Sequence, residues 1–295
     1  MHYMIDVRNL SLAFKRDGQT IVPVRDVSFA VPRGGRVALV GESGCGKSLS
    51  ALSLAGLPPT DRARRGGSMR VSGTLAYVFQ NPMEALNPVM RIGEQIAENL
   101  SRVPRRERER EILSLLARTG LPDPARAVRA YPCELSGGQQ QRAMIAMALA
   151  ARPDVLVCDE PTTALDVTTQ KQVLSLIDTL AAETGMAVLF ITHNLGLVAA
   201  WMDDLYVLYA GETIESGKVS AVLEHPRHPY TQGLLAAVPL LDAPRNAPLR
   251  DIPGTVPPPT AWPQGCAFAP RCPNAQEVCR TAPPSAHGSV RCHFA

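Results

Sequence analysis

Residues 41–48 read Gly-Glu-Ser-Gly-Cys-Gly-Lys-Ser, and no other stretch restricts the fold as tightly. An apolar run, Val37-Ala38-Leu39-Val40, enters it, and a helix-compatible segment, residues 49–55, leaves it. Strand, glycine-rich loop and helix at the spacing G-x-x-x-x-G-K-[ST] form a cradle for phosphate. Gly41, Gly44 and Gly46 let backbone N–H groups curl round an anion without Cβ clashes. The helix start adds the positive end of its dipole. Lys47 brings a point charge to β- and γ-phosphates, and the Ser48 hydroxyl suits Mg²⁺. The stretch therefore predicts a nucleoside triphosphate site in an α/β protein.

Composition narrows the setting. A 295-residue chain with 45% hydrophobic residues can bury a large core. The net charge of +3 is too mild to argue for nucleic acid. The charged run Arg105–Glu111 alternates sign, as a solvated helix face does. No apolar stretch approaches the roughly 20 residues of a spanning helix, and residues 1–6 do not read as a signal peptide. A cytosolic protein is expected, with its seven cysteines as thiols or metal ligands instead of disulfides.

Along the chain, residues 3–14 and 22–31 read as strands, followed by the loop and its helix. Residues 60–73 are basic and contain glycine. Leu75–Phe79 reads as a short buried strand ending at Gln80, and two Asn-Pro dipeptides then break the chain. Residues 92–121 carry a helical pattern. A helix is expected from Gln140 to Ala151, a buried strand over Val155–Cys158 ending in Asp159-Glu160, a helix over 166–183, and a strand over 187–192 ending at His193. Alternating strands and helices predict a mainly parallel sheet with helices on both faces. Ligands gather at the carboxyl ends of such strands, where Gly41, Gln80, Asp159, Glu160 and His193 all fall. From about residue 240 the chain is proline-rich, aperiodic and carries four cysteines. It reads as an appended tail that does not continue the sheet.

The set resembles the ATP-binding subunit of ABC transporters over roughly residues 3–235. Gly41–Ser48 matches the Walker A loop, Gln80 the Q-loop, and Leu135-Ser136-Gly137-Gly138-Gln139 the signature motif. Val155–Glu160 matches the Walker B strand, Ala164-Leu165-Asp166 the D-loop, and His193 the switch histidine. The resemblance implies a RecA-like P-loop core, a small antiparallel β subdomain, an α-helical signature subdomain near 81–150, and an irregular Cys-rich tail. ATP would lie on Gly41, Glu42, Ser43, Gly44, Cys45, Gly46, Lys47 and Ser48. Mg²⁺ would be held through Ser48, Gln80 and Asp159. Glu160 is placed to orient or deprotonate the attacking water, with Gln80 and His193 beside the reacting phosphate. Phe14 is the candidate adenine-stacking aromatic, with a core role as the other reading. The family pairs two such chains head to tail, so each signature acts on the partner's ATP and hydrolysis requires pairing.

Several stretches resemble the ATPase subunits of peptide and nickel importers: Gly41–Gly44, Phe79–Pro82 with Leu86–Pro88, Tyr131–Leu135 and His228–Thr231. The importer would carry di- or oligopeptides, with nickel or another small solute as the alternative and a soluble non-transport ABC ATPase as the competitor. Expected partners are a second ATPase subunit, favoured as a heterodimer, integral membrane permeases contacted by residues 81–96, and indirectly an extracytoplasmic binding protein; no nucleic acid is expected. The protein would be peripheral on the cytoplasmic face of the inner membrane. Domain limits are placed at 1–239 and 240–295. In the tail, Cys266, Cys272, Cys279 and Cys292 are spaced C-x5-C-x6-C-x12-C. The segment resembles the C-terminal region of peptide-importer ATPases, which can hold a [4Fe–4S] cluster. Four thiolates in a proline-stiffened segment suit a cluster; zinc is the alternative, weakened by the lack of a C-x-x-C pair. Two departures stand out. The segment between Gly67 and Leu75 is short, which predicts a trimmed antiparallel sheet. Cys45 and Cys133 replace the Ser and His expected there, and Cys45 is expected to be open to thiol alkylation with ATP protecting it.

Overall fold

The computed structural model describes residues 2–101, 103–162, 165–238 and 251–295. In chain order its elements are β1 (Tyr3–Arg16), β2 (Gln19–Pro32), β3 (Arg36–Val40), α1 (Lys47–Leu54), β4 (Arg64–Val71), β5 (Leu75–Val78), α2 (Pro82–Ala85), α3 (Ile92–Glu98), α4 (Arg105–Arg118) and α5 (Pro124–Ala127). Then come α6 (Gly137–Ala150), β6 (Val155–Asp159), α7 (Val167–Thr184), β7 (Ala187–Thr192), α8 (Leu195–Trp201), β8 (Asp204–Tyr209), β9 (Glu212–Lys218), α9 (Val219–Glu224), α10 (Pro229–Ala236), α11 (Glu277–Thr281), β10 (Ala286–His287) and β11 (Val290–Arg291). The chain divides into two compact units. One is chiefly Ser72–Phe190; the other comprises Ile5–Val31, Arg36–Val71 and Ile191–Ala295.

In the first unit β5 runs parallel to β6, with Leu75 opposite Val155 and Val78 opposite Cys158. β7 flanks β6 on its other side. β6 and β7 are buried along their whole lengths, which is why both read as continuous apolar runs without alternation. The helical pattern over 92–121 resolves into α3 and α4. Pro104 stands at the N-cap of α4, where its missing N–H costs nothing, whereas inside one long helix it would break the ladder. α6 packs against α2, α3 and α4. Its small and flexible side chains, Ala143, Met144, Ile145 and Ala146, are all buried.

In the second unit the strand order is β4-β1-β2-β9-β8-β3. β3 is parallel to β8, and β8 is antiparallel to β9. The apolar positions of β1 change phase midway, from Ile5 and Val7 to Leu10 and Leu12, all buried. The β1–β4 pairing shifts register between Arg8 and Ser11, with Asn9 at φ 51°. This is a β-bulge, whose extra residue moves the side-chain alternation by one. Gly67 lies across from it, where a Cβ would collide with the carbonyls of Arg8 and Asn9. The antiparallel pairing is thus present from Ile5–Val71 to Ala13–Arg64 despite the short segment that follows.

The tail departs from expectation. Its limit at 239/240 lies outside the described residues, but residues 251–295 belong to the second unit. Val290 of β11 pairs antiparallel with Glu215 of β9, and Ser216 donates its N–H to the Ser289 carbonyl at 2.8 Å. The tail therefore extends the sheet, which corrects its reading as a mere appendage. Ala267 and Phe268 are buried in the same core cluster as Tyr209, Val222 and Tyr230.

Candidate active site

The residues singled out by the sequence fall into two groups, one in each unit. In the second unit the loop follows β3 and ends in α1. Gly41 has φ 156°, and a Cβ there would run into the Leu208 carbonyl. Gly46, the N-cap of α1, sits in the left-handed region and supplies no side-chain cap. Lys47 is buried, and its Nζ donates to the carbonyls of Gly41 (2.7 Å) and Glu42 (3.0 Å) and reaches Cys45 Sγ at 3.7 Å. The loop thus closes on its own lysine. Cys45 is fully buried, and burial pushes its thiol pKa up against the opposing pull of Lys47. A buried, protonated thiol is a poor nucleophile, so the expectation of easy alkylation is not supported by its surroundings. Ser48 is the second residue of α1.

Glu42 carries contacts that the loop pattern does not foretell. Its carboxylate receives Nη1 of Arg271 at 2.6 Å and Nη2 at 3.0 Å. Its backbone N–H donates to the Tyr230 hydroxyl at 2.9 Å. Phe14, near the end of β1, is half-buried and lines a cavity of about 650 Å³ with Lys15, Thr20, Asp61, Arg62 and Arg64. His193 is exposed just beyond β7. Asn194 after it caps α8, accepting N–H bonds from Gly196 and Leu197.

In the first unit the hydrolytic candidates cluster. Asp159 closes β6 and is 6% exposed. Tyr77, on the neighbouring strand, donates its hydroxyl to Asp159 Oδ2 at 2.8 Å. Burial first, then the Asp159 charge, drives the Tyr77 pKa far up, so the phenol stays a donor. Gln80 Nε2 donates to Glu160 Oε2 at 3.2 Å. Glu160 holds φ 44°, a left-handed conformation that non-glycine residues take at some cost. Tyr77 was missed by sequence reasoning; its signal is its place on the strand that leads to Gln80, in register beside β6.

The signature segment is a well-capped helix start. Ser136 is the N-cap of α6; its Oγ accepts the Gln139 N–H at 3.4 Å, while Gln139 Oε1 accepts the Ser136 N–H at 3.0 Å. Gln140, buried and not foreseen, ties the preceding turn by donating to the carbonyls of Pro132 (2.8 Å) and Leu135 (3.1 Å). Leu135, Gly137 and Gly138 lie at this start, with Ser136 and Gly137 exposed. Asp166 caps α7, accepting from the N–H groups of Thr168 and Thr169 and from the Thr169 hydroxyl. Those Thr169 bonds hold its carboxyl pKa below the usual range. Ala164 lies outside the described residues.

Residues 24–163 match the family described as ABC transporter, and residues 214–279 match the oligopeptide/dipeptide transporter C-terminal region. The chain is 44% identical to "Putative peptide import ATP-binding protein BAB2_1052" of Brucella abortus (strain 2308), over 94% of this chain and 89% of that one. The chain belongs to the ABC transporter ATPases. It is also 43% identical to the oligopeptide transport ATP-binding protein OppD of Mycobacterium tuberculosis over 96% of its own length, which is half of that longer protein. Among solved structures it resembles the dimeric bacterial ABC transporter cassette MJ0796, with TM-score 0.63 and 27% identity over 73% of this chain and 99% of that one. A post-hydrolysis state of that cassette bound to ADP and Pi matches with TM-score 0.61 and 26% identity over the same shares. Among the described residues no helix of this ABC ATPase is long and apolar enough to cross a membrane.

Proposed function

We propose that this ABC ATPase binds and hydrolyses ATP to drive an importer of di- or oligopeptides. What carries the reading is that near full-length similarity to peptide import ATP-binding proteins coincides with the peptide-transporter C-terminal region. Nickel or another small solute, moved by the same mechanism, is the alternative. Residues 1–239 form the nucleotide-handling part and 240–295 the extension.

The loop N–H groups and Lys47 bind the phosphates, and Phe14 stacks on the adenine in its cavity. Ser48, Gln80 and Asp159 would hold Mg²⁺, which when bound neutralises phosphate charge. Tyr77 orients the Asp159 carboxylate. Glu160 positions the attacking water and takes its proton, with Gln80 holding the glutamate and His193 contacting the γ-phosphate. Leu135–Gln139 of one chain completes the partner's site, and Asp166 fixes the helix that follows the D-loop. Pairing with a second ATPase subunit, a heterodimer by resemblance, is supported by the dimeric cassette it resembles. Met83 and Val89, exposed at 71% and 79%, give 81–96 an apolar surface for a permease. The subunit would be peripheral, on the cytoplasmic membrane face.

Cys266, Cys272, Cys279 and Cys292 line one cavity of about 160 Å³. Among the described residues no three His, Cys, Asp or Glu side chains are grouped to hold a single metal ion. Thiols spaced round a cavity suit a [4Fe–4S] cluster better than the tight tetrahedron zinc demands. Burial lifts the Cys266 pKa to about 11 and also raises that of Cys272, so loading would release protons. Iron and sulfide in anaerobically purified protein, with visible absorbance lost in Cys272→Ala, would bear the cluster out; a colourless zinc-loaded protein would sink it. For transport, the purified complex should hydrolyse ATP faster when its binding protein carries peptide. A response to nickel or another solute, and none to peptide, would overturn the peptide reading.

A further inference from the structure

The guanidinium of Arg271 is bonded at every one of its nitrogens. Its Nε donates to the Pro253 carbonyl (2.9 Å), Nη1 to Glu42 (2.6 Å) and the Tyr209 hydroxyl (3.4 Å), and Nη2 to Glu42 (3.0 Å) and the Ile252 carbonyl (3.1 Å). All five N–H donors of an arginine are thereby used. Its side chain is 3% exposed, against 33% for Glu42. A buried cation anchored to tail carbonyls and a rigid aromatic thus presents its fork to one carboxylate of the phosphate loop.

Glu42 is in turn held at three points. Arg271 takes its carboxylate, Tyr230 takes its N–H, and Lys47 takes its carbonyl. Two of these three come from chain segments beyond the sheet. Tyr209, Tyr230 and Phe268 pack their rings together behind the loop at 4.6–5.4 Å. Cys272, which lines the cysteine cavity, is the next residue after Arg271.

We propose that Arg271 is a positioning residue for ATP binding, through which the C-terminal region sets the phosphate loop. It neutralises a carboxylate that would otherwise repel phosphate and fixes the peptide whose carbonyl receives Lys47. This rests on the reading that the loop binds ATP. Lysine cannot replace it, having three donors and no planar fork.

The test is steady-state ATPase kinetics and ATP binding of the assembled complex carrying Arg271→Ala, Arg271→Lys, Glu42→Gln or the Glu42→Gln/Arg271→Ala pair. Arg271→Ala should raise the KM for ATP about tenfold with kcat within about twofold, the signature of lost binding contact. Arg271→Lys should recover less than half of that loss. The double variant should be no worse than Arg271→Ala alone, because both remove one interaction. An unchanged KM in Arg271→Ala, or losses that add in the double variant, would overturn the proposal. Glu42→Gln, which removes the repelling carboxylate along with the ion pair, should raise the KM less than Arg271→Ala does; if Arg271→Ala folds poorly, Arg271→Lys reads the lost fork, and an unchanged KM there counts equally against the proposal. A wild-type complex that binds no ATP would overturn the ATPase reading itself.

Discussion

Two helix starts in this chain are suited to anions, and they are finished differently. α1 begins at a left-handed glycine that cannot cap it. α6 begins at Ser136, whose hydroxyl and the Gln139 amide close a capping box. The cap residue of the first start offers no side-chain acceptor, and the surrounding loop is held from outside by Arg271 and Tyr230. At the second the Gln139 N–H is already taken by the Ser136 hydroxyl, so a phosphate bonding that N–H must displace it. On the proposed function, one start binds ATP within its own chain; the other carries its own cap and suits a role that begins on meeting a partner.

The largest effect should come from Lys47→Ala, with ATP affinity of the single chain falling about a thousandfold in nucleotide titration. A loss below tenfold would mean that the loop N–H groups suffice, and the two starts would be equivalent. Next is acidity, which should strain the α1 side. His228 is buried and accepts the Tyr230 N–H on Nδ1 at 3.0 Å, and burial lowers its pKa from 6.5 to about 4. The unfolded chain therefore takes up a proton the native chain refuses. The stability this confers is complete above about pH 6.5 and is lost progressively as pH falls toward 4, by about 3 kcal/mol. In denaturant titrations wild type should lose stability as pH falls from 6.5 toward 4 while His228→Gln stays flatter; equal slopes against pH would show that His228 is not the source.

Smaller is Ser136→Ala. Losing the cap should cost about 1 kcal/mol of stability and cut turnover of the paired complex about tenfold, while ATP binding to the single chain stays within twofold. If single-chain binding collapses too, the division of labour is wrong. Least is Tyr77→Phe, which removes one donor from Asp159 and should shift the magnesium dependence of hydrolysis about threefold, read from a metal titration.

What the sequence discloses follows the range of the forces involved. The loop, both buried strands of the first unit and the capped signature helix are local patterns of glycine, apolar run and cap, and all are legible. The phase change from Val7 to Leu10 was visible as letters, but it becomes a bulge only with Gly67 brought opposite. The break before α4 could have been read from Pro104. Arg271 and Tyr230 reach Glu42 across most of the chain, and no periodicity announces such a bond. β11 is two residues long, too short to carry alternation, so its pairing with Glu215 was hidden. Cys45 was misjudged because exposure, unlike position in a motif, depends on what packs over it.

The backbone of Glu160 has one more consequence. Its φ of 44° would suit glycine or asparagine better, and holding glutamate there costs about 1–3 kcal/mol. A chain tuned for thermal endurance alone would replace it. With Glu160 in the water-activating role proposed above, position 160 is a place where durability and turnover part company.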